Sequence, residues 1–136
     1  MNVIIQEEKT GCGIASVANI VGLSYEEVKN KANSIGIFAK DESLYSDTGY
    51  VRKLLNEYAF NTSDKEVSFN SWDELPNLAL LAIKYHLEAG KPYWHWVVFK
   101  REKEAYVLDS ASYLEKNKIT NLSGLTPKWY IAVTKI

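Results

Sequence analysis

Thr10-Gly11-Cys12-Gly13-Ile14-Ala15-Ser16-Val17-Ala18-Asn19-Ile20-Val21-Gly22 is the stretch that decides the fold. Ile14, Val17, Ala18 and Val21 recur at i, i+3, i+4 and i+7, the spacing of a buried helical stripe. The spacing predicts a helix from Cys12 to Val21, with Gly22 as its stop. Cys12, the only cysteine in the chain, then sits in the first turn, where backbone N–H groups lack partners.

Two more helices follow. Ser24 and Glu27 have capping-box spacing, and Leu23 with Val28 forms a hydrophobic staple, so a second helix starts at Ser24. It runs to about Ile35, with Gly36 as its stop, and residues 37–47 read as loop. Val51, Leu54, Leu55 and Tyr58 place a third helix over about Thr48 to Tyr58.

The second half changes period. Lys65 to Phe69 reads as a short strand, and Ser71-Trp72-Asp73-Glu74 as a turn before Pro76. The apolar run from Leu78 to Tyr85 suits a buried strand, although Leu and Ala also favour helix. Its bounds, Pro76 and Gly90-Lys91-Pro92, favour the strand. Trp94 to Lys100, rich in aromatic and β-branched residues, is a clearer strand. Arg101-Glu102-Lys103-Glu104 is a charged turn, Ala105 to Asp109 its hairpin partner, and Trp129 to Lys135 a last strand. Helices first and strands after predict an α+β class, with the Cys12 helix packed on a C-terminal antiparallel sheet.

That layout assembles a set of chemical parts. Only the thiolate attacks carbon, whereas a free thiol near pKa 8.5 is mostly protonated at neutral pH, so the thiol needs help. A helix N-terminus supplies partial positive charge. An imidazole takes the proton, and His95 lies in the strand Tyr93-Trp94-His95-Trp96-Val97-Val98-Phe99. The imidazole needs an orienting group. A four-residue turn pairs residue 100 with about 105 and 95 with about 110, which puts Asp109 next to the position facing His95. Attack on a carbonyl also needs oxyanion donors, for which the Cys12 N–H and the side chain of Gln6, six residues before Cys12, stand ready.

Composition narrows the classes. The 136 residues, 46% apolar and 24% charged, predict one globular domain over 1–136. A net charge of −1 argues against nucleic acid as a partner. No apolar run is long enough to span a membrane. Met1 to Glu8 shows no basic region followed by a long apolar stretch, so no signal peptide is expected. A lone cysteine suits a reducing cytoplasm. Two histidines and one cysteine, widely spaced, form no metal motif, so no cofactor or metal is expected.

At Gln6…Gly11-Cys12-Gly13-Ile14-Ala15-Ser16, His95-Trp96-Val97-Val98 and Val107-Leu108-Asp109-Ser110 the chain resembles the papain-like cysteine peptidases. Within them it is most similar to the bacteriocin-processing, double-glycine leader peptidases and their stand-alone relatives. The resemblance spans residues 6 to 110 and rests on the Gln-to-Cys spacing, the Cys-Gly pair and the short step from His to Asp. It implies a thiol hydrolase that cleaves peptide bonds, with a peptide or protein as substrate. Cys12 would be the nucleophile, His95 the general base and acid, Asp109 the group orienting His95, and Gln6 part of the oxyanion hole. The leader-cutting members are usually fused to membrane transporter domains; none is expected from these residues, and the bacteriocin substrate is not carried over. The same parts serve deamidases, isopeptidases and acyl transferases, and a non-catalytic peptide-binding module is the remaining alternative.

Each part alone has a plainer reading. A free cysteine is usually a small buried apolar residue. His95 fits a satisfied core histidine, Asp109 a strand end, Gln6 a surface residue, and Trp94 and Trp96 sheet packing. His86 reads as structural or exposed, and Glu7, Glu8, Glu26 and Glu27 as solvated faces and caps. Four plain readings must hold together to displace the thiol reading.

Overall fold

The computed structural model describes residues 3–136; Met1 and Asn2 of the N-terminal stretch lie outside them. Three α-helices come first: α1 Cys12–Val21, α2 Tyr25–Ser34 and α3 Gly49–Glu57. Gly22 closes α1 at φ 79°, a left-handed conformation that glycine adopts without penalty. Ser24 caps α2 by accepting the Glu27 N–H at 3.1 Å. The predicted loop 37–47 contains a short 3-10 helix, Glu42–Ser46, whose first turn is held by the Asp41 side chain.

Seven strands follow: β1 Phe60–Thr62, β2 Val67–Ser68, β3 Leu78–Glu88, β4 Lys91–Arg101, β5 Ala105–Leu108, β6 Lys118–Ile119 and β7 Trp129–Lys135. They form an antiparallel sheet in the order β1-β7-β3-β4-β5-β6, with β2 also pairing with β7. The class is α+β, as the succession of helices and strands predicts. Strands β1 and β6 have no counterpart in the sequence reading, whereas β2, equally short, falls within the expected strand Lys65 to Phe69.

The long strands carry apolar residues on both sides because both faces of the sheet are covered. Leu80, Ala82, Trp96, Val98 and Ile131 pack with Ile14, Val17, Val51, Leu54 and Leu55 of the helices. Ala79, Leu81, Ile83, Val97, Phe99 and Val107 form the opposite core under Phe69, Trp72, Leu122 and Leu125. A continuous apolar run at 78–83 is therefore a strand buried on two faces rather than a helix.

Three details depart from the expected layout. The β4–β5 turn is shorter, so Lys100 pairs with Tyr106 rather than with Ala105. Pro92 lies inside β4, opposite Leu87. β5 pairs only with residues 98–101, so β4 is a free edge on that side at Pro92, where a missing N–H is tolerated. Strands β3 and β4 thus extend into a hairpin whose tip, Ala89-Gly90, has positive φ at both residues (51° and 79°), the requirement of a tight two-residue turn.

Candidate active site

The N-terminus of α1 meets β4 at residues 95 and 96. The Trp96 N–H points at Cys12 Sγ, 3.5 Å away. One helical turn on, the buried Ser16 hydroxyl donates to the Trp96 carbonyl at 3.4 Å. Cys12 and Ser16, at i and i+4, thus grip both ends of one residue of β4. The thiol is 5% exposed. It still lines a cleft of about 330 Å³ together with His95.

Local chemistry keeps this helix end electropositive. Gly11 is its N-cap and offers no side chain to the free N–H groups, and the first turn holds no acid. The glycines either side of Cys12 also have a packing reason that the sequence does not reveal. A Cβ on Gly13 would overlap the Tyr50 ring, and one on Gly11 would overlap the Tyr25 hydroxyl. Tyr25 in turn donates to Glu8 Oε1 at 2.7 Å, and Lys29 Nζ meets Glu8 Oε2 at 3.0 Å. Glu8 is thus an anchor of the loop before Cys12, not the solvated residue that its neighbourhood suggests. Thr10 fixes the same loop from the other side by donating to the Ala39 carbonyl.

His95 Nε2 and Asp109 Oδ1 are 2.7 Å apart. An ionised carboxylate only accepts, so Nε2 carries the proton in this bond and Nδ1 is left for other partners. Burial disfavours the imidazolium, but the bond to Asp109 and the neighbouring Cys12 outweigh it, and the His95 pKa is pushed up to about 10. Burial works against the Asp109 charge too, yet the His95 bond and the Ala111 N–H hold its carboxyl below the usual value. Ala111 N donates to Asp109 Oδ1 at 3.0 Å.

Asn117 holds the turn that carries Asp109. Its Nδ2 donates to the carbonyls of Asp109 at 2.7 Å and Ala111 at 2.9 Å. The Asp109 N–H donates to the Asn117 carbonyl at 2.9 Å. Nothing in Glu115-Lys116-Asn117-Lys118 marks this residue in the sequence, where it reads as one polar loop position among several.

Gln6 lines a second cavity of about 430 Å³, on the side of His95 that faces Ala111, Ser112 and Tyr113. Its backbone N–H donates to the Ser110 carbonyl at 3.0 Å. Its Oε1 accepts from the Ser110 hydroxyl at 2.8 Å. Its Nε2 donates to the carbonyls of Glu8 at 2.9 Å and Lys9 at 3.2 Å. Both amide protons are therefore engaged within the loop.

His86 lies on the exposed hairpin, bonded to the Lys84 carbonyl and Glu88, and it stacks on Tyr93. Trp94, Trp96 and Trp129 meet edge to face in the core, as expected of packing residues, and Trp94 also lines the cleft. Among the described residues, no group of three His, Cys, Asp or Glu is placed to hold a metal ion. No described helix is long and apolar enough to cross a membrane.

No family model matches the chain, and no curated protein matches it. Among solved structures it is similar to a double glycine motif protease from an AMS/PCAT transporter, crystallised in complex with the leader peptide. The TM-score is 0.67 at 19% identity, over 99% of this chain and 91% of that one. The chain has a peptidase-like fold. At this identity the likeness speaks for the fold alone.

Proposed function

We propose that residues 1–136 act as one cysteine-peptidase domain that cleaves a peptide amide through a thioester on Cys12. The observation that carries the reading is the hydrogen-bonded His95–Asp109 pair beside a thiol at an uncapped helix N-terminus. The fold shared with a protease, itself solved with a leader peptide, supports a peptide as the substrate.

The Cys12 thiolate attacks the carbonyl carbon, and the π-electron pair moves to oxygen. The Cys12 N–H meets the oxyanion. The longer of the two Gln6 Nε2 bonds, to Lys9, is the one to release so that this amide joins it. His95 gives its Nδ1 proton to the leaving amine while Asp109 holds Nε2. Water then attacks the thioester, with Nδ1 taking its proton, and Cys12 leaves as thiolate.

The chain has one thiol, so alkylation by iodoacetamide reports on it alone. The rate at neutral pH is expected to fall about tenfold or more in His95→Ala, because an unassisted thiol is only a few per cent thiolate there. Cys12→Ala is expected to lose all peptide turnover while its circular dichroism stays that of wild type. Retained turnover in that variant ends the proposal.

A further inference from the structure

The two flanks of the thiol differ in charge. On one flank, the cleft between Cys12 and the β3–β4 hairpin is lined by Lys9, Lys84, His86 and Glu88. The Glu88 carboxylate lies 3.3 Å from the exposed His86 ring. No carboxylate among the described residues forms an ion pair with Lys9 or Lys84. His95 also lines the second cavity, whose wall carries Glu7 and Glu8, with Lys9 and Tyr45 shared between the two. Space thus lies on both sides of the imidazole.

Lys84 is placed by a deliberate irregularity. It sits where the β3–β4 register breaks, between the pairs Ile83–His95 and His86–Tyr93, so two residues of β3 face Trp94 alone. A bulge of this kind re-aims a side chain. Lys84 also holds φ 55°, which a side chain bearing a Cβ adopts at a cost. Its Nζ donates to the Tyr113 hydroxyl and stands 5.0 Å from the centre of that ring. The ammonium is thereby held where the hairpin meets Tyr113 of the second cavity, and its field reaches Asp109, whose ionised form it favours.

We infer that Lys84, assisted by Lys9, selects acidic peptides: substrates with an Asp or Glu side chain beside the scissile bond, lying on the hairpin flank of Cys12. This inference rests on the peptidase reading of Cys12.

Iodoacetate and iodoacetamide test it without a known substrate. In both, the thiolate displaces iodide, and they differ only in a carboxylate against a carboxamide. The readout is the ratio of the two rate constants at Cys12, in wild type, Lys84→Gln and Lys9→Gln at low salt. The His95 charge acts in all three proteins and drops out of the comparison. The acetate-to-acetamide ratio is expected to fall about 2- to 5-fold in Lys84→Gln, to fall less in Lys9→Gln, and to shrink toward the variant values as salt rises. A ratio unchanged by Lys84→Gln, with Cys12 still reactive and still dependent on His95, overturns the inference and leaves the peptidase reading standing. A thiol inert to both reagents, or indifferent to His95→Ala, overturns both.

Discussion

The two arms of the site are held by different forces. The Cys12 arm is fixed mainly by packing, through glycines that admit Tyr25 and Tyr50 and a helix seated on β4, with hydrogen bonds from Ser16 and Thr10 and the Glu8 carboxylate pinning its loop. The His95 arm is fixed by charge and hydrogen bonds, from Asn117 to the Asp109 turn and from Asp109 to Nε2. Packing sets position within tenths of an ångström but is indifferent to pH. A charged pair sets orientation and protonation, and it answers to pH. The thiol arm is thus expected to fail by unfolding, and the imidazole arm by losing activity in a folded protein.

The largest effect breaks the imidazole arm. Asp109→Asn keeps the shape and removes the carboxylate. An amide that presents N–H to Nε2 imposes the wrong tautomer, so kcat is expected to drop about 10²- to 10⁴-fold. The pH profile supplies the second readout. Burial pushes the His95 pKa down and the Asp109 bond is the leading influence pushing it up, to about 10. Without that bond the alkaline limb of peptide turnover moves to lower pH. Stability follows the same sign. A raised His95 pKa stabilises the fold fully below its ordinary 6.5, and that share is lost as pH climbs through about 10. The lowered Asp109 pKa stabilises above its ordinary 3.8, and its share is lost as pH falls below that. Melting temperatures from pH 4 to 10 should therefore decline toward the alkaline end in wild type and stay flatter in Asp109→Asn. An alkaline limb that does not move would show that the pair does not govern the chemistry.

How much of this was legible in the sequence follows the same division. Helix α1 shows from Cys12 to Val21 because four apolar residues keep one period and Gly22 stops it. His95 and Asp109 stand out because a polar residue inside or closing an apolar strand demands a reason. The pairing expected of a four-residue turn is one residue off, yet the two side chains still meet, because Asp109 lies past the ladder on a turn that carries it to Nε2. What stays hidden is whatever depends on a tertiary neighbour. Gly13 is a packing notch only because Tyr50 folds onto it, and Asn117 holds the turn only because β6 returns beside β5. The Lys84 bulge follows from the pairing of two strands, which no single strand's period encodes.

The middle-sized effect breaks the thiol arm. Ala is a better helix former than Gly by about 1 kcal/mol, so Gly13→Ala on an open helix face would stabilise. Here the new methyl meets the buried Tyr50 ring, and overpacking costs about 1–3 kcal/mol. The steric cost is expected to win, lowering the urea midpoint. In a Tyr50→Ala background the same substitution should be neutral or stabilising, a sign change that a double-mutant cycle detects. Equal cost in both backgrounds would remove Tyr50 as the reason for that glycine.

The smallest effect asks whether the seat of α1 on β4 depends on one bond. Ser16→Ala leaves the Trp96 carbonyl without the hydroxyl that donates to it at 3.4 Å. A hydrogen bond of ordinary length contributes about 1 kcal/mol, a long one less, and the better helix propensity of Ala offsets part of that. A net loss of about 0.5 kcal/mol is expected, close to the limit of a denaturant titration. The sharper readout is chemical. If shape holds the thiol arm, Cys12 in Ser16→Ala should remain as dependent on His95 for alkylation as it is in wild type, because Gly13, Tyr50 and the pinned loop still set its position. Loss of that dependence at nearly unchanged stability would mean that this one buried bond aligns the thiol. The division between a packed arm and a charged arm would then have to be redrawn around Trp96, the residue that both Cys12 and Ser16 touch.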